Sequence, residues 1–132
     1  MNKFIIFYAG SASIEIIGYM LDSKICKLTD KFYFFDKKIS LENKKFFKKK
    51  LKNAIFIKKS SEIKKLNTKN CVIATGDIEL RKKAYDFIKK LKLNSLKIIH
   101  PSSIISKDCK IHDGVIVAPF VSLAPCSIIG KN

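Results

Sequence analysis

Short, uninterrupted runs of apolar residues recur through the first part of the chain. Four such runs are separated by longer, more polar segments: Lys3–Tyr8 (KFIIFY), Lys31–Phe35 (KFYFF), Ala54–Ile57 (AIFI) and Cys71–Thr75 (CVIAT). A strand with one face in water alternates apolar and polar residues, whereas a strand covered on both faces reads as a continuous apolar run. The runs therefore predict buried strands of a parallel sheet, and Lys97–Ile99 is predicted as a last strand.

Amphipathic segments lie between these runs. Helices are predicted over four of them: Ser11–Asp22, Ser40–Lys52, Ser60–Leu66 and Ile78–Leu91. The last segment shows the clearest spacing, because its apolar residues recur every three or four positions and so share one helix face. Ser11 or Ser13 is expected to cap the first helix, since a serine hydroxyl accepts a hydrogen bond from a free N–H group of the first turn.

The alternation of strands and helices predicts a fold of the α/β class. Successive βαβ units give a parallel sheet with right-handed crossovers, here a small Rossmann-like domain. Ligands of such sheets bind beyond the carboxyl ends of the strands. The turns at Gly10, Asp36 and Gly76 all follow predicted strands, so three loops are expected to converge on one crevice.

The pattern changes near His100. From there, aliphatic residues occupy every sixth position: Ile99, Ile105, Ile111, Val117, Leu123 and Ile129. A six-residue period is typical of a parallel β-helix, in which each hexad forms one flat side of a triangular coil and its aliphatic residue points to the axis. A β-meander would instead give period two and turns at variable spacing. We therefore predict two domains, a sheet domain over residues 1–97 and the first coils of a left-handed parallel β-helix over residues 98–132.

The net charge of +16 is the most unusual property of the composition. Such an excess would normally suggest nucleic acid or an anionic membrane as the partner. Arg81 is the only arginine, however, and arginine is the residue favoured for bidentate recognition of phosphates and bases. The abundant Lys, Ile, Asn and Phe share A/T-rich codons, so we interpret the lysines as a solvated coat. A lysine-driven nucleic-acid binder would depend on Lys44–Lys52 (KKFFKKKLK), for which a solvated helix face is the favoured alternative.

The four cysteines are scattered and form no CxxC pair. This spacing fits neither a zinc site nor a disulfide framework, so the cysteines are predicted to be small apolar core residues in a reducing cytoplasm. No metal site is expected. The apolar run Met1–Tyr8 is interrupted by Gly10 and Ser11 far short of the length of a membrane span, and no membrane partner is expected.

The loop after the first strand carries the clearest candidate ligand contacts. Gly10, Ser11, Ala12 and Ser13 form a run of small residues at a helix start, where free backbone N–H groups can bind a pyrophosphate. Gly10 would let the backbone approach the ligand closely. The alternative is that Gly10 serves only the turn.

Four residues after the second and fourth strands are further candidates. Asp36 could accept hydrogen bonds from a uracil or a ribose, or it could cap the strand end. Gly76 and Asp77 lie at the turn after the fourth strand, where Gly76 is either a ligand contact or a turn residue and Asp77 is a ligand contact or a helix cap. Arg81 could pair with a phosphate or bridge to Glu79 or Asp77.

Three segments resemble bacterial sugar acyltransferases, the family that includes sialic acid O-acetyltransferases and UDP-amino-sugar N-acetyltransferases. They are CVIATGDIELR followed by IIHPSSIIS, the hexad run through IIGKN, and the amino-terminal YAGSASIE. The resemblance implies a cytoplasmic transferase whose first domain binds a UDP-sugar or related sugar and whose β-helix binds acetyl-CoA between the subunits of a homotrimer. By position it assigns the nucleotide-sugar to eight residues: Gly10, Ser11, Ala12, Ser13, Asp36, Gly76, Asp77 and Arg81.

The chain departs from the family pattern in two places. The amino-terminal loop lacks two of the family's glycines and its histidine, in whose place Ala12 stands. The family's catalytic histidine belongs to a later coil, past Asn132, and neither His100 nor His112 matches it. We therefore predict an amino-terminal portion that contains no catalytic residue and is inactive on its own. A non-catalytic nucleotide-sugar-binding module is the alternative, and the residues distinguish neither the sugar nor O- from N-acylation.

Overall fold

The computed structural model describes residues 1–132. Its first part contains five strands and four helices: β1 (Lys3–Phe7), α1 (Ser11–Asp22), β2 (Lys31–Phe35), α2 (Leu41–Lys50), β3 (Asn53–Ile57), α3 (Ser60–Ile63), β4 (Asn70–Ile73), α4 (Ile78–Lys90) and β5 (Asn94–Ser95). The four predicted buried strands and the four predicted helices are all present, with bounds shifted by a few residues. The α/β class is therefore confirmed.

The five strands form one parallel sheet in the order β3-β2-β1-β4-β5. The central strand β1 pairs with β2 on one side and with β4 on the other, for example Ile5 with Tyr33 and with Cys71. The chain first moves outward from β1 to β3 and then returns to the far side of β1. The loops after β1 and β4 therefore diverge to opposite faces of the sheet, which makes the gap between them the topological switch point where ligands of such folds bind.

The predicted last strand over Lys97–Ile99 is wrong as part of this sheet. The fifth strand is Asn94–Ser95, and Ile98–Ile99 instead pairs with Ile116–Val117. A short edge strand has only one neighbour, so two polar residues suffice to form it, and such a strand carries no apolar signal.

Two apolar clusters cover the two faces of the sheet. One contains residues of α1 and α2, and its closest aromatic pair is Phe34 and Phe47, whose ring centroids are 4.2 Å apart. The other contains Ala84 and Ile88 of α4 against Phe7 and the neighbouring strands. Because both faces are covered, β1 to β4 need apolar residues nearly throughout, and in each of them only the first residue is polar.

The start of α1 differs from the prediction. Gly10 occupies the N-cap position, and neither Ser11 nor Ser13 caps the helix. Ser13 is fully buried, and its hydroxyl donates to the Gly10 carbonyl at 2.6 Å. A buried hydroxyl must find a partner, and this carbonyl is the nearest acceptor of the preceding turn.

Residues 98–132 form six further strands of two residues each: β6 (Ile98–Ile99), β7 (Ile104–Ile105), β8 (Lys110–Ile111), β9 (Ile116–Val117), β10 (Ser122–Leu123) and β11 (Ile128–Ile129). The pairs β6 with β9, β7 with β10 and β8 with β11 are parallel, and each pairs residues 18 positions apart, as in Ile98 with Ile116. Since every third strand stacks on the one before, the chain winds as a three-sided coil with six residues to a side. We call residues 98–132 the coil.

Backbone conformation repeats with the same period at the corners of the second turn of the coil. Positive φ angles occur at Gly114, Phe120, Cys126 and Asn132, with values between 49° and 77°. Only Gly114 among them is a glycine. The other three accept a left-handed conformation that costs an ordinary residue about 1–2 kcal/mol, so the corner geometry is set by the coil rather than by local preference.

The coil docks on the sheet domain through its first side. Ile98 is fully buried in the same cluster as α1 and the sheet. The Ser23 hydroxyl donates to the Ile99 carbonyl at 2.9 Å, and Nε2 of His100 lies 3.1 Å from Oδ2 of Asp22. These contacts all join the carboxyl end of α1 to the beginning of the coil.

The four cysteines differ in burial. Cys26 and Cys71 are buried, and burial raises the pKa of each thiol to about 12, so both remain protonated at neutral pH. The prediction that cysteines serve as apolar core residues is confirmed for these two, whereas Cys109 is only half-buried. The prediction is wrong for Cys126, which is exposed at the left-handed corner between β10 and β11 and fills no part of the core.

Candidate functional site

A cavity of about 800 Å³ lies at the carboxyl edge of the sheet, where the loops after β1, β2 and β4 meet. A volume of this size is typical of small-molecule sites. Five of the eight residues predicted to bind a ligand line it: Gly10, Ser11, Ala12, Asp36 and Gly76. The expected convergence of three strand-end loops on one crevice is therefore what the structure shows, and we call this cavity the crevice.

Three predicted residues do not line the crevice. Ser13 is buried beneath the loop. Asp77 is the N-cap of α4, and its carboxylate accepts the Leu80 N–H at 2.8 Å. Asp77 thus has the capping role that the sequence left open.

Arg81 also lies behind the crevice rather than in it. Its Nη1 atom donates to the Thr75 carbonyl at 2.9 Å, with the Ile73 carbonyl at 3.4 Å. No bridge to Glu79 or Asp77 forms, so that alternative is wrong. Burial lowers the pKa of the guanidinium, and Arg81 fixes the turn between β4 and α4.

Asp36 holds the loop after β1 in place. One carboxylate oxygen accepts the Ala9 N–H at 3.0 Å, and the other accepts the Lys38 N–H at 2.8 Å. The side-chain amide of Asn43 donates to the Ala9 carbonyl at 2.9 Å. Both polar groups of Ala9 are thereby fixed, and each Asp36 oxygen retains capacity for a second hydrogen bond from a ligand.

The same loop presents free backbone donors. No group within the chain accepts a hydrogen bond from the N–H groups of Gly10, Ser11 or Ala12. They belong to the first turn of α1, a helix of 12 residues, where the helix dipole adds partial positive charge. An anionic group, such as a phosphate, would satisfy these donors.

An aromatic wall, which the sequence analysis missed, forms another side of the crevice. Phe35 and Phe87 lie nearly parallel, with ring centroids 5.9 Å apart and an interplanar angle of 12°, and Phe7 meets both edge-on. All three line the crevice. The sequence could have indicated this wall, because two of these phenylalanines are the last residues of β1 and β2, directly before the candidate loops.

Three lysines around the crevice were missed as well. Lys37, Lys38 and Lys83 line it, and Asp36 is its only acidic lining residue. The lining therefore has a net positive charge, which favours an anionic ligand. The signal was hidden because the sequence contains lysines nearly everywhere.

Tyr8, at the end of β1, is the most unusual residue of the crevice. Its φ angle is +73°, in the left-handed region. Its backbone N–H donates to the Phe35 carbonyl at 2.9 Å, and its hydroxyl donates to the Leu80 carbonyl at 2.9 Å. Burial raises the pKa of the phenol, and the negative charges of Asp36 and Asp77 add to this shift.

Neither histidine is close to the crevice lining. His100 lies between Asp22 and Ser102, whose hydroxyl is 2.8 Å from Nδ1. His112 is exposed on the first turn of the coil, near a second cavity of about 620 Å³. Both belong to the coil, as the sequence analysis expected.

No lysine has an ion-pair partner. The one contact of this kind joins His100 and Asp22, and it is an ion pair only when the imidazole is protonated. Helix α2 leaves Lys45, Lys48, Lys49 and Lys50 exposed, which agrees with a solvated helix face. Binding of this segment to nucleic acid stays a prediction.

No group of three or more His, Cys, Asp or Glu side chains is arranged to hold a metal ion. None of the helices combines the length and the apolar character needed to cross a membrane.

No protein-family model and no curated protein matches the sequence, but solved structures match the fold. PerB from Caulobacter crescentus, in complex with CoA and GDP-perosamine, superposes with a TM-score of 0.75 and 18% identity over 99% of this chain. The acetyltransferase domain of PglB from Neisseria gonorrhoeae, in complex with acetyl coenzyme A, gives a TM-score of 0.66 and 15% identity over 98% of this chain. The chain spans 58% and 62% of the length of these two structures. It therefore has the fold of bacterial sugar acetyltransferases, in agreement with the resemblance of its sequence motifs.

Proposed function

We propose that this chain is the nucleotide-sugar-binding portion of a sugar acetyltransferase. The observation that carries the proposal is a combination within one chain: a parallel sheet with a cationic crevice at its switch point, followed by a coil with an 18-residue repeat. The coil is the beginning of a left-handed parallel β-helix. The superposition on sugar acetyltransferases extends over both parts, since it covers 99% of the chain.

The crevice has groups suited to each part of a nucleotide-sugar. The free N–H groups of Gly10, Ser11 and Ala12 would bind the pyrophosphate, with the lysines of the lining adding charge. Asp36 would accept hydrogen bonds from the ribose or uracil, and Gly76 would let the ligand approach the backbone after β4 closely. Ser13, Asp77 and Arg81 would support these loops from behind.

Acetyl transfer itself requires more than the crevice. The sugar amine or hydroxyl attacks the thioester carbonyl of acetyl-CoA, a C–N or C–O bond forms, the C–S bond breaks, and a general base takes the proton from the attacking atom. Nδ1 and Nε2 of His100 are engaged by Ser102 and Asp22, and His112 does not line the crevice. Neither histidine is suited to act as the base.

We therefore expect no acetyl transfer by the purified 132 residues. The assay follows thiol release from acetyl-CoA in the presence of UDP-amino-sugars, and turnover above the buffer rate would refute this expectation. The resemblance to the acyltransferase family implies an acetyl-CoA site between the subunits of a homotrimer, and the exposed Ile104 and Ile128 on the other two sides of the coil would suit such an assembly. Light scattering on the same samples would detect a trimer.

Nucleotide binding is the direct test of the proposal. A ligand at 100 times its Kd stabilises the folded state by about 2.7 kcal/mol, which raises the melting temperature of a domain of this size by several degrees. We expect this shift with UDP and UDP-sugars. Stabilisation by UDP-sugars without any effect of CoA would favour the alternative of a binding module, which is supported by a crevice lined only by residues 7–87.

The substitution Ala12→Asp tests the location of the pyrophosphate. A carboxylate added to the first turn of α1 interacts favourably with the helix dipole but repels a phosphate. The variant should therefore fold normally and lose the increase in melting temperature that UDP causes. Leu41→Asp is the matched control, because it adds the same charge to the first turn of α2 outside the crevice lining. Equal UDP responses of Ala12→Asp and wild type would contradict the assignment.

A further inference from the structure

The side chain of Tyr8 crosses the switch point of the sheet. Tyr8 directly follows β1, whereas Leu80 lies in the first turn of α4, after β4. The hydrogen bond of 2.9 Å from the Tyr8 hydroxyl to the Leu80 carbonyl therefore joins the two loops that diverge at the switch point. These are the two walls between which a ligand of this fold class enters.

The position of the Tyr8 ring is held at its backbone end as well. The Tyr8 N–H is bonded to the Phe35 carbonyl, and the next residue, Ala9, is held through its N–H and its carbonyl by Asp36 and Asn43. The φ angle of +73° is one that glycine adopts freely and that a bulky residue adopts at a cost of about 1–3 kcal/mol. Such strain persists where the surroundings over-determine it, and it is common at ligand sites.

We infer that Tyr8 determines the size of the nucleotide that the crevice accepts. The inference rests on the proposed nucleotide-sugar function and adds a specificity residue to it. The ring packs against the apolar cluster of α3 and α4 while lining the crevice, so it is a fixed wall rather than a loose side chain. A fixed wall excludes larger ligands, because the ring is anchored at its backbone and at its hydroxyl.

The experiment compares UDP and GDP, whose bases differ in size: uracil is a one-ring pyrimidine and guanine is a two-ring purine. Isothermal titration on the full chain measures both Kd values for wild type, Tyr8→Gly and Tyr8→Phe. Glycine suits the φ angle and removes the wall, so Tyr8→Gly should lower the ratio of the GDP Kd to the UDP Kd by about tenfold. Tyr8→Phe keeps the ring but loses its anchor at Leu80, and its ratio should fall between the other two.

Tyr85→Phe is the matched control. Tyr85 lies on α4 and lines a separate cavity rather than the crevice, so its loss of a hydroxyl should leave the ratio unchanged. If the ratio of the two Kd values stays constant in Tyr8→Gly, the inference is overturned. Equally tighter binding of both nucleotides would mean that the ring only has to move aside for any ligand. Equally weaker binding would mean that the ring stacks on the base instead of limiting its size. If no protein, including the wild type, binds either nucleotide, the proposed function itself fails and the inference fails with it.

Discussion

Ile98→Ala is expected to lower the free energy of unfolding by about 2–5 kcal/mol, the usual cost of truncating a buried isoleucine. Ile98 is fully buried and lies in one cluster with α1 and the central strands, so it anchors the first side of the coil on the sheet domain. Removing three carbon atoms there leaves a cavity at the junction. Urea unfolding at 25 °C, followed by circular dichroism, gives the free energy directly.

Ile104→Ala provides the matched control. Ile104 holds the same position in the next hexad, and its strand has the same length, but 71% of its surface is exposed. Exposed substitutions away from caps and partners usually change stability by no more than about 0.5 kcal/mol. If the two variants lost equal stability in samples that light scattering shows to be monomeric, the first side of the coil would not be the docking face.

Ile98 and Ile104 also show which part of the fold the sequence does not predict. The six-residue period was visible because each side of the coil repeats the same geometry, and the stacking of strands 18 residues apart agrees with it. The period cannot say which side faces the sheet domain, because Ile98 and Ile104 are equivalent within the repeat. That choice depends on how α1 ends and how the chain leaves β5, which are properties of the assembled fold.

The sheet was predictable for a similar reason, and its edge was not. Strands covered on both faces need apolar residues throughout, so Lys3–Phe7 and Lys31–Phe35 were found almost to the residue. The edge strand Asn94–Ser95 makes one ladder with β4 and buries little. A strand that short leaves no period to detect, and the more apolar Ile98–Ile99 nearby was assigned in its place.

In the candidate site, topology predicted positions better than side-chain chemistry did. The rule that ligands bind at the carboxyl ends of parallel strands located Gly10, Asp36 and Gly76 at one crevice. The rule could not predict that Ser13 and Asp77, which lie in the same segments, would stay outside the crevice lining. Short polar side chains near a helix start compete for local backbone groups, and both residues are engaged in that way.

The conformation of Tyr8 was not predicted, because a residue other than glycine rarely adopts a positive φ angle. A tyrosine at the end of an apolar run reads as the last residue of a strand, and nothing in the run indicates a left-handed conformation. The conformation is held by two hydrogen bonds, from the Tyr8 N–H to the Phe35 carbonyl and from the Ala9 N–H to the Asp36 carboxylate. Exceptions to local rules are expected at functional sites, which is why this residue carries the inference on ligand size.

Gly114→Ala is expected to destabilise the protein by about 2–3 kcal/mol, the sum of left-handed strain and one lost hydrogen bond. Gly114 has a φ angle of +77°, and an added Cβ would meet the side-chain amide of Asn132. Asn132 would have to move, and the bond of 2.7 Å from the Ser95 hydroxyl to its side-chain oxygen would be lost. Urea unfolding measures the change.

Phe120→Gly tests the same corner geometry, but here the expected change in the free energy of unfolding is a gain. Phe120 lies six residues after Gly114, has a φ angle of +60°, and is 88% exposed, so its side chain contributes little packing. Glycine there relieves the left-handed strain, partly offset by the greater freedom of the unfolded chain, and we expect a gain of up to about 1 kcal/mol. Opposite signs for the two variants would support a left-handed requirement at the corners of residues 114 and 120. A loss of stability in Phe120→Gly would contradict this prediction, because the relief of strain would then be smaller than the cost of a more flexible unfolded chain.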